Sequence, residues 1–232
     1  MITPKTLYLK VQGRQGSRDS AFTVDHLICA GWSGRDRQSL QAHIEELFSL
    51  GIPRPSRFPI FMNLSPYLIT TDDEIAVVSD KSSGEVEYVL LCQGEEIWVT
   101  VGSDHTDREM ETHSIPASKQ MCPKCLASQS WPYFDLKDHW DQLVLRCWVQ
   151  KGGERSLYQE AALGSIISPE ELLKGLPREG LLQQEGLVLL SGTIPTQSGL
   201  VYGDSYDLEM EDPVLKRRIE YSYRVNILPQ YL

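Results

Sequence analysis

Two glutamates interrupt an otherwise apolar strand pattern, and no other feature constrains the fold of this chain as tightly. The run Gly84-Glu85-Val86-Glu87-Tyr88-Val89-Leu90-Leu91 is rich in Val, Leu and Tyr, residues that suit a strand. Side chains two apart on a strand point to the same face. Glu85, Glu87, Val89 and Leu91 therefore share one face, and Val86, Tyr88 and Leu90 share the other. Apart from the two acids both faces are apolar, as in a strand covered on both sides. Carboxylates placed there are costly unless something positive meets them. A divalent cation is one answer, with Asp104 as a third oxygen ligand. A pair of Arg or Lys partners is the other.

The rest of the chain sets the class. Its 232 residues are 41% hydrophobic and 23% charged, ordinary for a globular protein with a substantial core. The net charge of −10 argues against a nucleic-acid partner, because phosphate binding needs a basic face. No apolar run approaches the ~18 residues of a membrane-crossing helix. Met1 to Ser20 is polar, carries dispersed Lys5, Lys10, Arg14 and Arg18, and does not read as a secretory signal. The five cysteines, an odd number, read as reduced thiols and a cytoplasmic location. Cys122-Pro-Lys-Cys125 has CxxC spacing, but without a second Cys/His pair or a thioredoxin-like setting it reads as two turn cysteines.

Taken in order, Thr6–Gln12 reads as an opening strand, Asp25–Gly31 as a short buried strand, and Asp36–Leu50 as a helix capped by Asp36 and closed by Gly51. Pro53, Pro55 and Pro59 force an extended segment. Four or five strands follow between Phe58 and Gly102. Met110–Tyr133 reads as an irregular, proline-punctuated loop, Leu143–Gln150 as a strand, and Ser168-Pro169-Glu170-Glu171 as a helix start. Gly186–Thr193 reads as a buried strand ending in a glycine turn, and the stretch around Ile219–Ile227 as a closing strand with one wet face. The expectation is a mainly β chain with short helices (α+β), one domain over residues 1–232. Residues 1–60 would form an N-terminal strand and lid-like helix region, and residues 61–232 a metal-binding β core.

The order of motifs is informative. His43-Ile44-Glu45-Glu46 precedes the proline-rich Pro53–Phe61, then Glu85-x-Glu87, Asp104-x-Thr106-x-Arg108, Lys119, and Ser191-Gly192-Thr193. This set, from about Gly34 to Thr193, resembles the fumarylacetoacetate hydrolase superfamily. That family has His-x-x-Glu, a Pro-rich approach to Phe, Glu-x-Glu, an Asp-x-Thr/Ser-Ala-Arg-Asp block, a Lys, and a Thr-Gly-Thr turn. The resemblance implies a mixed β-roll or barrel fold. It implies Glu85, Glu87 and Asp104 as ligands of Mg²⁺ or Mn²⁺, His43 as general base, and Glu46 as the carboxylate that orients it. It implies Lys119 as the group that polarises a substrate carbonyl. Arg108 would pair with a substrate carboxylate or with the metal carboxylates, and Thr193 would contact substrate.

The implied activity is that of a metal-dependent hydrolase cleaving a carbon–carbon bond in a small dicarbonyl (2-oxo or 1,3-diketo) acid through an enolate. The alternatives are a decarboxylase, other lyase, isomerase or hydratase on a 2-oxo or β-keto acid, and a non-catalytic binding protein on the same scaffold. The implied partner is a small carboxylic substrate, and the implied assembly a homodimer. The chain also departs from the family pattern. Asp107 stands for the block's Ala, Glu109 for its final Asp, and Glu111 for the substrate-binding Gln three residues past Arg108. The Glu87–Asp104 span is short, and the Asn-Tyr ahead of the His is absent.

Overall fold

A computed structural model of the chain describes residues 4–36, 38, 58–177 and 185–231. In chain order its strands are β1 (Lys5–Gly13), β2 (Gly16–Val24), β3 (His26–Gly31), β4 (Ile60–Leu64), β5 (Ile69–Thr70), β6 (Glu74–Val77), β7 (Ser82–Ser83), β8 (Val86–Gln93), β9 (Glu96–Asp104) and β10 (Thr106–Asp107). The helices α1 (Arg108–Glu111) and α2 (Ile115–Gln120) follow, then β11 (Lys124–Leu126), β12 (Gln129–Pro132), β13 (Val144–Lys151), β14 (Glu154–Ala162), helix α3 (Pro169–Gly175), β15 (Leu187–Leu190), β16 (Ser205–Asp212) and β17 (Arg217–Ile227). The fold is mainly β with short helices, as the sequence pattern predicts. No helix among the described residues is long and apolar enough to cross a membrane.

Two sheets organise these strands. A ten-stranded mixed sheet runs β2-β1-β12-β9-β8-β15-β3-β4, with β11 pairing both β9 and β5, and a five-stranded sheet runs β14-β13-β16-β17-β6. Strand β8 lies inside the larger sheet between β9 and β15, so both of its edges are paired. Val86, Tyr88 and Leu90 pack into the core between the sheets with Leu145, Cys147, Tyr206, Met210 and Tyr223. Val89 and Leu91 turn the other way, into a second core that the larger sheet curls around, with Leu7, Leu9, Phe22, Leu126 and Leu190. The two-faced reading of β8 thus holds residue by residue.

The structure corrects the expectation for Met110–Tyr133. That stretch holds α1, α2, β11 and β12 rather than an irregular loop. Its helices are four and six residues long, too short to show a hydrophobic period, and they form because their ends are capped. The Asp107 carboxylate accepts from the Met110 amide, the Ser114 hydroxyl accepts from the Ala117 amide, and Pro116 occupies the first turn of α2. The helix α3 carries the capping box its sequence announces, with Ser168 and Glu171 bonded reciprocally. The expected Asp36–Leu50 helix falls almost entirely outside the described residues.

Candidate metal centre

Strand register builds the site. In the β8–β9 ladder Glu87 lies opposite Gly102, and one step beyond it the Asp104 amide donates to the Glu85 carbonyl at 3.0 Å. Directly opposed residues of an antiparallel pair share a face. Glu85, Glu87 and Asp104 therefore converge on the face that carries Val89 and Leu91. The three side chains offer carboxylate oxygens that all lie within 4.8 Å of one another. Gly102 lets β9 pack closely here: a Cβ on it would meet the Cys125 carbonyl oxygen at 2.6 Å and Val89 Cγ2 at 2.8 Å.

Three cations meet these acids. Lys119 descends from α2, and its Nζ contacts Glu85 Oε2, Asp104 Oδ2 at 3.0 Å and Thr106 Oγ1 at 2.9 Å. Lys124 on β11 lies directly opposite Asp104 in the ladder. Its Nζ is 2.8 Å from Asp104 Oδ1 and donates to the His105 carbonyl at 2.6 Å. Arg108 Nη1 sits 2.9 Å from Glu85 Oε1 and 2.8 Å from Glu111 Oε2, while its Nε donates to Ser83 Oγ at 2.7 Å. Arg108 thus pairs with two acids of the chain, Glu85 and Glu111.

Glu87 differs from its neighbours. Its described partner is the Gly192 amide, which donates to Oε2 at 2.8 Å. Gly192 reaches that position with φ +84, and a Cβ on it would meet Ser33 Oγ at 2.3 Å. Burial, then the Asp104 and Glu85 charges, raise the Glu87 pKa well above the usual carboxylate range. Burial pushes Glu85 and Asp104 upward too, but Arg108 and Lys119 outweigh it at Glu85, and Lys119 and Lys124 outweigh it at Asp104, so both are lowered. Lys119 is the mirror case: burial disfavours its charge, Asp104 and Glu85 win, and its pKa is raised. It is a fixed ammonium at neutral pH.

The residues fit a hard divalent ion. Three carboxylates converge, one of them without a described cation partner. Asp104 is wholly buried, and its Oδ1 and Oδ2 lie 2.8 and 3.0 Å from the Lys124 and Lys119 ammonium groups, which hold it ionised, as a metal ligand must be. Oxygen-only donors favour Mg²⁺ or Mn²⁺ over softer metals.

The strand ends that carry the site are anchored from their opposite face. The Glu85 amide donates to Ser103 Oγ, which also bonds the Tyr223 hydroxyl at 2.9 Å. His105 bridges Tyr223 and Ser82 at 3.0 Å each, and burial above all keeps it neutral. The Val86 amide donates to Gln159 Oε1. These tie the larger sheet to β14 and β17 of the smaller one. Gln159 also donates to the Thr193 hydroxyl, which in turn donates to the Val86 carbonyl. Thr193 therefore sits beside the site with its hydroxyl engaged inside the protein. His43 and Glu46 lie outside the described residues.

Sequence reasoning missed Lys124. The signal was present, because Lys124 and Leu126 alternate with Cys125 and so face the acids' side. A lysine two residues past a Cys-Pro turn does not announce burial. Cys122 and Cys125 are free and buried, and burial pushes Cys122 up to about 11 and Cys125 higher still, which leaves them protonated thiols.

Residues 30–223 match the family model described as "Protein of unknown function (DUF2848)". No curated protein matches the sequence. Among solved structures, the chain is similar to a putative fumarylacetoacetate hydrolase family protein from Yersinia pestis CO92, with TM-score 0.58 and 18% identity, over 94% of this chain and 99% of that one. It is also similar to 2-keto-3-deoxyarabinonate dehydratase in a hexagonal crystal form, with TM-score 0.61 and 16% identity, over 89% and 75%. A third similar structure is 2-keto-3-deoxy-D-arabinonate dehydratase complexed with magnesium and 2,5-dioxopentanoate, with TM-score 0.56 and 14% identity, over 88% and 74%.

Proposed function

Because this chain belongs to the DUF2848 family and has a fumarylacetoacetate hydrolase-like fold, we propose that it is a divalent-metal-dependent enzyme that cleaves a carbon–carbon bond in a small dicarbonyl acid. One observation carries this reading: three carboxylates within 4.8 Å of one another, Glu87 and Asp104 buried and Glu85 half-buried, two of them in contact with a single buried ammonium. Glu85, Glu87 and Asp104 would hold Mg²⁺ or Mn²⁺. When bound, such an ion supplies positive charge for the negative charge that develops on the dicarbonyl oxygens as the bond breaks.

The chain's own groups divide the remaining work. Lys119 stays protonated, so it donates rather than accepts. Thr106 Oγ1 and the two carboxylates hold its Nζ in place. It would donate to an oxygen that gains charge in the transition state by trading one of these three contacts for it. The group that takes a proton from water must then lie elsewhere, and His43 oriented by Glu46 is the pair the sequence motif offers. Thr193 and the Gly192 amide fix the Glu87 side of the site.

A second reading, a lyase on a 2-oxo acid, rests on the same platform and is favoured by the similar dehydratase complexed with magnesium. The two readings separate in one experiment. Purified protein is assayed on acylpyruvates, fumarylacetoacetate analogues and oxaloacetate with Mg²⁺ or Mn²⁺ and with EDTA. Metal-dependent turnover of acylpyruvates, lost in His43→Ala, supports the hydrolase. Decarboxylation retained in His43→Ala supports the lyase. Turnover that EDTA leaves unchanged sinks both.

A further inference from the structure

We propose that Glu111 sets the site's substrate preference, favouring 2-oxo acids with one carboxylate and an uncharged remainder over those with two carboxylates. The inference rests on the metal reading above and deepens it. A second substrate carboxylate needs a cation to receive it. Among the described residues, each cation at the centre already faces a carboxylate of the chain: Arg108 faces Glu85 and Glu111, Lys119 faces Glu85 and Asp104, and Lys124 faces Asp104. Arg108 is engaged at its Nε and Nη1. Its Nε serves Ser83, and its Nη1 is shared between two carboxylates at 2.9 and 2.8 Å.

Glu111 is the outermost member of this chain of ion pairs, its side chain 26% exposed against 13% for Glu85. It adds a negative charge beside the centre and holds the Arg108 guanidinium through Nη1. A glutamine here, as the resembling family places it, would leave Arg108 one anion short and able to take another.

The charge count agrees. The carboxylates Glu85, Glu87, Asp104 and Glu111 outnumber Arg108, Lys119 and Lys124 by one. A divalent ion turns that deficit into one surplus positive charge. One substrate carboxylate neutralises it; a second leaves an unpaired negative charge beside Glu111, in a site where burial penalises it.

Isothermal titration calorimetry tests this with wild type and Glu111→Gln. Mn²⁺ is titrated first, then 2-oxohexanoate or the similarly long dianion 2-oxoglutarate into the Mn²⁺-loaded protein. Wild type is expected to bind 2-oxohexanoate at least about tenfold more tightly, and Glu111→Gln to narrow that ratio about tenfold by tighter 2-oxoglutarate binding. No Mn²⁺ binding to wild type overturns the metal reading and the charge count with it. Mn²⁺ binding with wild-type affinities within about twofold of each other, or an unchanged ratio in Glu111→Gln, overturns the inference and leaves the metal reading standing. The wild-type ratio decides alone if the variant does not fold.

Discussion

Asp104 and Lys124 face each other across β9 and β11, Oδ1 to Nζ 2.8 Å, and neither side chain reaches solvent. Lys119 approaches the other Asp104 oxygen, so one proposed ligand carboxylate lies between two ammonium groups. The arrangement stabilises the empty centre and works against an incoming cation.

The first prediction follows from that opposition. Lys124→Met removes one partner of a fully buried pair, a change that costs about 3–5 kcal/mol. For a chain of this length the melting temperature should fall by roughly 6–20 °C. With one cation fewer beside Asp104, the variant should bind Mn²⁺ more tightly, and Mn²⁺ should restore more of its melting temperature than it adds to wild type. Differential scanning calorimetry with EDTA and with Mn²⁺ reads both. A variant that melts like wild type would show that the pair contributes nothing.

Glu87 gives the metal-free protein a pH dependence of definite sign. Its folded-state pKa is raised, first by burial and then by Asp104 and Glu85. Between the ordinary carboxylate value and that raised value, the folded chain holds a proton that the unfolded chain has released. Stability in EDTA should therefore fall as pH rises above the ordinary carboxylate value toward that raised value, and metal binding, which displaces the proton, should tighten over the same window. Glu87→Gln should flatten the EDTA profile. Thermal melts across that range check it, and an unchanged slope in the variant would assign the effect to another group.

Gly102 lets β9 pack closely beside the site. An added Cβ meets the Cys125 carbonyl oxygen at 2.6 Å, and backbone cannot step aside cheaply. Gly102→Ala should cost about 1–3 kcal/mol by overpacking. It should also weaken Mn²⁺ binding, because Gly102 lies opposite Glu87 in the ladder. Calorimetry that finds both stability and Mn²⁺ affinity unchanged would mean that the strands relax freely.

What the sequence made legible, and what it hid, follows from the range of each interaction. The alternation in β8 is local, so the two faces and the convergence of Glu85 with Glu87 could be read directly. Asp104 joins them through register with β8, and the Asp-x-Thr spacing pointed to it. Lys124 could not be weighed in the same way. Its importance comes from β11 lying beside β9, a pairing between segments some twenty residues apart in which the lysine itself gives no sign of being buried. The anchoring by Tyr223, Ser103 and Gln159 was invisible for the same reason, since it depends on how the two sheets stack. The capped helices between Met110 and Gln120 were missed because they are shorter than the period that reveals a helix. Lys119, expected in a loop, therefore rides on α2, whose capped start fixes where its ammonium arrives.

Lys119 separates a proposed catalytic role from a merely structural one. Its ammonium touches Glu85, Asp104 and Thr106 and stays charged at neutral pH. Lys119→Met keeps the bulk of the stem and removes only the charge. If Lys119 is the donor for the developing oxyanion, turnover on the accepted substrate should fall about 10²–10³-fold, through kcat more than KM. Binding of Mn²⁺ should persist or tighten, because a competing cation has left the carboxylates. Steady-state kinetics beside Mn²⁺ calorimetry reads the two effects on one preparation. Near wild-type kcat with tightened Mn²⁺ binding would make Lys119 a counter-ion for the empty centre and nothing more, and the search for the donor would move to the other side of the site.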